Sequence, residues 1–146
     1  MTSHDSQDAR QALAARARES CRNAHAPYSG IHVGAAIRSA TGACYTGTNV
    51  ENAAYPLGNC AEASAIAAGV QAEGAGFRIA ETAVWALDHR GRTIAISPCG
   101  GCRQRILEFG AGDVKVHFPW HDGSLHTATV DELLPYAFEL PDPKAP

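Results

Sequence analysis

The sequence predicts an α/β domain, with one sheet covered by helices on both faces. Three observations point there. Segments rich in β-formers alternate with Ala-rich stretches of helical spacing. Gly and Pro punctuate the joins between them. The 146 residues, 45% of them hydrophobic, suffice for one core, so 1–146 reads as a single domain without internal repeat or linker.

Residues 1–5 and 141–146 read as loose ends. From Ser6 to about His25, Leu13, Ala17, Cys21 and Ala24 recur at helical spacing. Pro27 stops that helix, and Tyr28-Ser29-Gly30 forms a turn. Ile31–Arg38 and Ala43–Thr48 are strand segments, joined as a hairpin through Thr41-Gly42. Asn49–Asn59 contains Pro56, Gly58 and Asn59 and reads as a loop. Cys60–Glu73 is Ala-rich without internal proline and reads as a helix, with Gly69 its weak point and Gly74 and Gly76 its stop. Thr82–Asp88 and Thr93–Ser97 are expected strands about a turn at His89–Arg92. Pro98–Phe109 is a loop running into a helix closed by Gly110 and Gly112. Val114–Phe118 and Ser124–Thr129 are further strands, and Asp131–Leu134 a short helix.

Composition excludes several function classes. Net charge is −3, and the twelve basic residues are scattered along the chain. A nucleic-acid polymer needs a basic stripe to displace counterions, and an anionic membrane surface needs a basic patch, so neither partner is expected. No apolar run approaches the roughly 18 residues of a membrane span. MTSHDSQDAR has neither a basic n-region nor an apolar core, so no secretory signal is expected. With five cysteines, an odd number, a disulfide framework is not expected, and a reducing cytoplasm is the expected compartment. Small-molecule chemistry is then the default.

The cysteines carry the sharpest signal. Cys60-Ala61-Glu62 opens one predicted helix, and Pro98-Cys99-Gly100-Gly101-Cys102 opens another. A C-x-x-C pair alone also fits a buried or redox thiol pair. Its two-residue gap, however, wraps a turn around one ion, and helix N-termini favour thiolates. Cys60 is the natural third ligand. No second C-x-x-C and no H-x-x-x-H pair is present, so the count favours Cys60, Cys99 and Cys102 around a zinc with one position open for water. Such a zinc makes water acidic, and Glu62 stands where a carboxylate can move the proton. Cys21 and Cys44 read as small buried hydrophobes.

C-A-E with P-C-x-x-C resembles the signature of the zinc-dependent nucleoside and nucleobase deaminases. Ala26-Pro27-Tyr28-Ser29, Val33-Gly34-Ala35-Ala36, Gly47–Ala53, Pro98–Gln104 and Leu133-Leu134-Pro135 with Phe138 narrow it to the small homotetrameric cytidine deaminases. That resemblance implies a three-layer α/β/α domain around a mixed five-stranded sheet, and one Zn²⁺ per subunit. It also implies hydrolytic deamination of cytidine and 2′-deoxycytidine to the uridines in pyrimidine salvage. Asn49 and Glu51 would meet the ribose 3′-hydroxyl, and Ile31 would face the base. Tyr55 and Phe138 would act from neighbouring subunits of a homotetramer. A related modified cytosine nucleoside or nucleoside antibiotic is the alternative substrate, and a non-catalytic zinc module the alternative of another class. The chain departs from the family pattern at Ile31, where phenylalanine is frequent, and at Ala63, where an arginine beside the thiolates is frequent. Arg103 and the backbone N–H groups of the P-C-G-G-C turn are the expected replacements for that charge.

Overall fold

A computed structural model describes residues 3–141. Its centre is a five-stranded mixed sheet of order β2-β1-β3-β4-β5. The strands are β1 (His32–Ser39), β2 (Cys44–Thr48), β3 (Ile79–Leu87), β4 (Lys115–Pro119) and β5 (Leu125–Thr129). Pairing is antiparallel except between β3 and β4, which run parallel. The helix α1 (Ser3–Ser20) covers one face, and α2 (Ala61–Glu73) and α3 (Gly100–Phe109) cover the other, with a short α4 (Val130–Leu133) beyond β5. This is the expected three-layer architecture.

The layers follow from strand alternation. On β1, Ala36 packs with Leu13, Ala14 and Ala17 of α1. Ala35 and Ile37 point the other way, to Ala61, Ala65 and Ile66 of α2. Both helices come unusually close. A Cβ on Gly34 would sit 2.0 Å from the Ala17 carbonyl oxygen of α1. One on Gly47 of β2 would sit 2.3 Å from the Ala65 nitrogen and 2.5 Å from the Ala61 oxygen of α2. The far end of α2 is fastened by Glu73, whose Oε1 accepts hydrogen bonds from Ser39, Thr41 and Tyr45 hydroxyls.

Some boundaries differ from those expected. α1 begins at Ser3, inside the segment read as a loose end, and stops at Ser20, where Cys21–Asn23 tighten into a 3₁₀ turn. Met1, Thr2 and residues 142–146 lie outside the described residues. β3 begins at Ile79 rather than Thr82. Thr93–Ser97 is not a strand of the sheet. Its amides are divided between two strands: Ile94 N–H donates to the Ala86 oxygen of β3, and Ile96 N–H to the Pro119 oxygen at the end of β4. Pairing of β3 with β4 stops at Ala83–His117. The 93–97 segment therefore fills the fork at the carboxyl ends of the parallel pair, the usual ligand position in open α/β sheets.

On the α1 face a polar cluster around buried Glu81 and His117 ties four strands together. Glu81 of β3 pairs with Arg38 of β1 and accepts from His117 Nε2–H of β4 at 2.7 Å, while His117 Nδ1 meets the Thr127 hydroxyl of β5 at 2.8 Å. The His117 hydrogen bond holds the Glu81 carboxyl down at about 2, below its ordinary 4.5. A depressed folded-state value stabilises the fold above the unfolded value, and the gain disappears as pH falls from 4.5 towards 2. Glu81→Ala should cost about 2–4 kcal/mol at neutral pH in chemical denaturation, since it strands a buried imidazole, and the gap to wild type should close on acidification. Gly47→Ala should lower Tm and, because it lifts the amino end of α2, should reduce metal content as well; both are read on the same purified protein.

Candidate functional site

The site is built at the amino ends of α2 and α3. Cys60 is the residue before the first turn of α2, and Cys99 holds the same place on α3. Cys102 follows in the first turn of α3 and is fully buried. The three sulfurs lie within 4.8 Å of one another, with Cys60 and Cys99 at 3.9 Å. Four-coordinate zinc with bonds of about 2.3 Å separates its sulfurs by about 3.8 Å, so the donor set fits that ion. Electrostatics favours a cation here. A hydrogen bond from Cys102 pulls the Cys60 thiol down to about 6, and the same bond pushes Cys102 up. Without added positive charge the cluster holds one thiolate comfortably and resists the next.

Glu62 lies in the first turn of α2, 4% exposed, and lines the cleft that also reaches Cys60 and Cys99. Burial pushes its pKa above the ordinary 4.5, which suits a carboxylate that must take up and hand on a proton. The cleft has a volume of about 360 Å³, within the size range of small-molecule sites. Ile31, Asn49, Glu51 and Tyr55 line it with Glu62.

Backbone ladders fix the mouth against the metal cluster. His25 and the Asn49–Glu51 segment exchange hydrogen bonds of 3.1 and 2.8 Å, and Val50 exchanges two of 2.9 Å with Asn59, the neighbour of Cys60. Asn49 Oδ1 accepts from Val33 N–H at 2.8 Å, and its Nδ2 donates to the Ile31 carbonyl at 2.9 Å. Glu51 accepts from the Tyr28 and Ser29 amides and from the Ser29 hydroxyl; that hydroxyl above all holds its pKa below 4.5. Ser29 Oγ in turn accepts from Ile31 N–H. Ser29 thus joins the wall at Ile31 to the carboxylate at Glu51. In the sequence it reads only as a turn residue after Pro27-Tyr28, with nothing to mark its contact with Glu51. Ile96 and Ser97 also line the cleft, brought there by the 93–97 segment at the fork of β3 and β4.

Phe138 is not brought to this cleft. Gln104 of α3 clamps its backbone, through Nε2 to the Phe138 oxygen at 2.9 Å and Oε1 to its N–H at 3.1 Å, and its ring is left 69% exposed. Tyr55 is 75% exposed and meets Tyr28 edge-on at 5.8 Å between centroids. Arg103 does not replace the missing charge beside the thiolates. Its guanidinium donates to the Pro98 and Leu133 carbonyls and to the Ser97 hydroxyl, stapling the turn that carries Cys99. The cation on the cluster is Arg105, whose Nη1 lies 3.9 Å from Cys102 Sγ. Cys21 is buried, which raises its thiol to about 11, and Cys44 is half-buried; neither approaches the cluster.

A profile described as the cytidine and deoxycytidylate deaminase zinc-binding region matches residues 7–118. A cytidine deaminase of Sporosarcina psychrophila is 38% identical over 130 residues, 89% of this chain and 91% of that protein. One of Halalkalibacterium halodurans is 39% identical over 134 residues, 91% and 96% of the two chains. Among solved structures, cytidine deaminase from Burkholderia pseudomallei superposes with a TM-score of 0.76 at 36% identity, covering 94% of this chain and all of that one. The enzyme from Mycobacterium tuberculosis gives 0.71 at 34% identity, covering 89% and 97%. With the three-thiolate cluster at the mouths of two helices and a matched profile spanning most of its length, the chain belongs to the cytidine and deoxycytidylate deaminase family.

Proposed function

We propose that this chain is a zinc-dependent cytidine deaminase, converting cytidine and 2′-deoxycytidine to the corresponding uridines with release of ammonia, in pyrimidine nucleoside salvage. The observation that carries the reading is the buried Glu62 carboxylate beside three converging cysteine sulfurs at the base of a 360 Å³ cleft. Cys60, Cys99 and Cys102 would hold the ion. Zinc there supplies Lewis acidity that makes a water nucleophilic towards C4 of the pyrimidine.

The remaining work belongs to the protein. Glu62 accepts the proton of the attacking water and delivers it to N3, which makes the ring electrophilic. It then takes the remaining proton of the hydroxyl added at C4 and passes it to the amino group, which leaves as ammonia while the C4 carbonyl forms. Its burial excludes bulk water from both transfers. Ile31 offers the base an apolar wall. Asn49 keeps one hydrogen on Nδ2 and one lone pair on Oδ1 beyond those its backbone contacts use, and the ionised Glu51 accepts, so the pair suits a ribose 3′-hydroxyl. Tyr55 and Phe138, with exposed rings, would complete sites in trans within a homotetramer. No helix among the described residues is long and apolar enough to cross a membrane, and none of the described cysteines is in a disulfide. A cytoplasmic location is in keeping with free thiols.

Loss of the cytidine absorbance band tests the reaction. Wild type should deplete cytidine and deoxycytidine, while Glu62→Gln should bind one zinc per chain yet turn over at least about 10²-fold more slowly. Wild type that binds zinc but leaves both nucleosides intact would overturn the substrate assignment. The ribose reading makes a separate demand: 3′-deoxycytidine should show a kcat/KM lower by about 10-fold or more, since it leaves the polar groups of Asn49 and Glu51 unmet. Metal analysis gives the last check. Cys102→Ala should empty the centre, whereas Cys44→Ala should leave metal content at the wild-type level.

A further inference from the structure

We propose that Arg105 is the charge-balancing and positioning residue of the thiolate centre, its guanidinium donating a hydrogen bond to the Cys102 sulfur and fixing that sulfur beside the other two. The inference rests on the zinc reading of Cys60, Cys99 and Cys102 and adds the cation that stabilises it. Three thiolates around a divalent ion leave one net negative charge, and Cys102, fully buried, is the ligand least able to share that charge with solvent. Arg105 stands one turn along α3 from Cys102, so the helix itself delivers the guanidinium to the sulfur.

Three further features fit that placement. Gly101 leaves the approach open, for a Cβ there would lie 3.1 Å from Arg105 Nη1. Ala63 of α2 and Arg105 line the same shallow cavity, so the small side chain on α2 faces the large cation on α3. Among the described residues no carboxylate forms an ion pair with Arg105, which leaves the sulfur as its hydrogen-bond partner. A donor of this kind also draws electron density from the thiolate, which keeps the bound ion a stronger Lewis acid.

The test uses the full chain and two variants, Arg105→Met, which keeps the apolar stem, and Arg105→Lys, which keeps the charge. Zinc release to a chromophoric chelator and the sulfur-to-cobalt charge-transfer band of the cobalt-loaded protein are the readouts. Arg105→Met should weaken zinc retention about fivefold to tenfold and move the cobalt band to longer wavelength, with Arg105→Lys between it and wild type. Unchanged retention and an unmoved band in Arg105→Met would overturn the inference. Should Arg105→Met also lower the Tm of the metal-free chain, the band decides, because it reads the sulfur and not the fold. A wild-type chain that takes up no cobalt overturns the zinc reading and this inference with it; a wild type that takes it up, matched by both variants, overturns this inference alone.

Discussion

The close approach of α2 to β2 at Gly47 is the constraint on which the rest of the site depends. A helix whose backbone lies against strand backbone cannot slide or tilt without a clash, and the contact falls at Ala61 and Ala65, one turn from Cys60 and beside Glu62. The second helix is set by different means. The 93–97 segment bonds to Ala86 and to Pro119 at the fork of β3 and β4, and Arg103 then staples Pro98 to Ser97 and to Leu133 at the end of α4. Two unrelated devices thus bring two helix amino ends to within a few ångströms, and only their combination makes three sulfurs converge.

Electrostatics explains why that meeting point is chemically useful. The chain carries a net charge of −3, yet it gathers three thiols at one point, and Cys60 and Cys99 share one pocket with the buried Glu62 carboxylate and with Glu51. Helix amino ends contribute partial positive charge at Cys60 and Cys99. That is too little for three thiolates, as the opposite displacements of Cys60 and Cys102 show. A divalent ion supplies most of the balance, and Arg105 is positioned for the remainder. Glu62, pushed upwards by burial, would be the proton-carrying group of the proposed reaction, beside a centre that needs its own protons removed.

Much of this was legible in the sequence because it rests on local rules. The C-A-E and P-C-G-G-C segments announce helix starts and ligands together, and β1 shows its two faces through small alternating residues. What escaped reading depends on tertiary context. Thr93–Ser97 has strand-forming residues, but its hydrogen bonds are divided between two partners, which no propensity reveals. Ser29 looks like punctuation until Glu51 is folded over it. Arg103 and Arg105 both follow Cys102 in sequence, and the nearer one reads as the natural choice for charge balance. Helical geometry decides otherwise: Arg103 turns towards Pro98 and α4, while Arg105, a full turn on, returns to the sulfur.

The cleft built by one chain has the exposed aromatic ring of Tyr55 in its lining. Tyr28 and Tyr55 pair there, while Leu57 and Val50 nearby remain 72% and 46% exposed. An apolar rim of this kind is costly in water, and it gains stability when another surface covers it. Phe138 shows the complementary arrangement. Its backbone is held by Gln104, a residue of the helix that carries Cys102, yet Phe138 is exposed and does not line the cleft of its own chain. A side chain so anchored is prepared for a fixed direction outward. The proposed exchange of Phe138 and Tyr55 between subunits accounts for both facts at once, because each site would lack a wall and each chain would present one. Metal, proton carrier and ribose contacts would then come from a single chain, and closure from its neighbours. On this account loss of assembly should impair substrate binding more than metal binding, since the three cysteines all belong to one subunit.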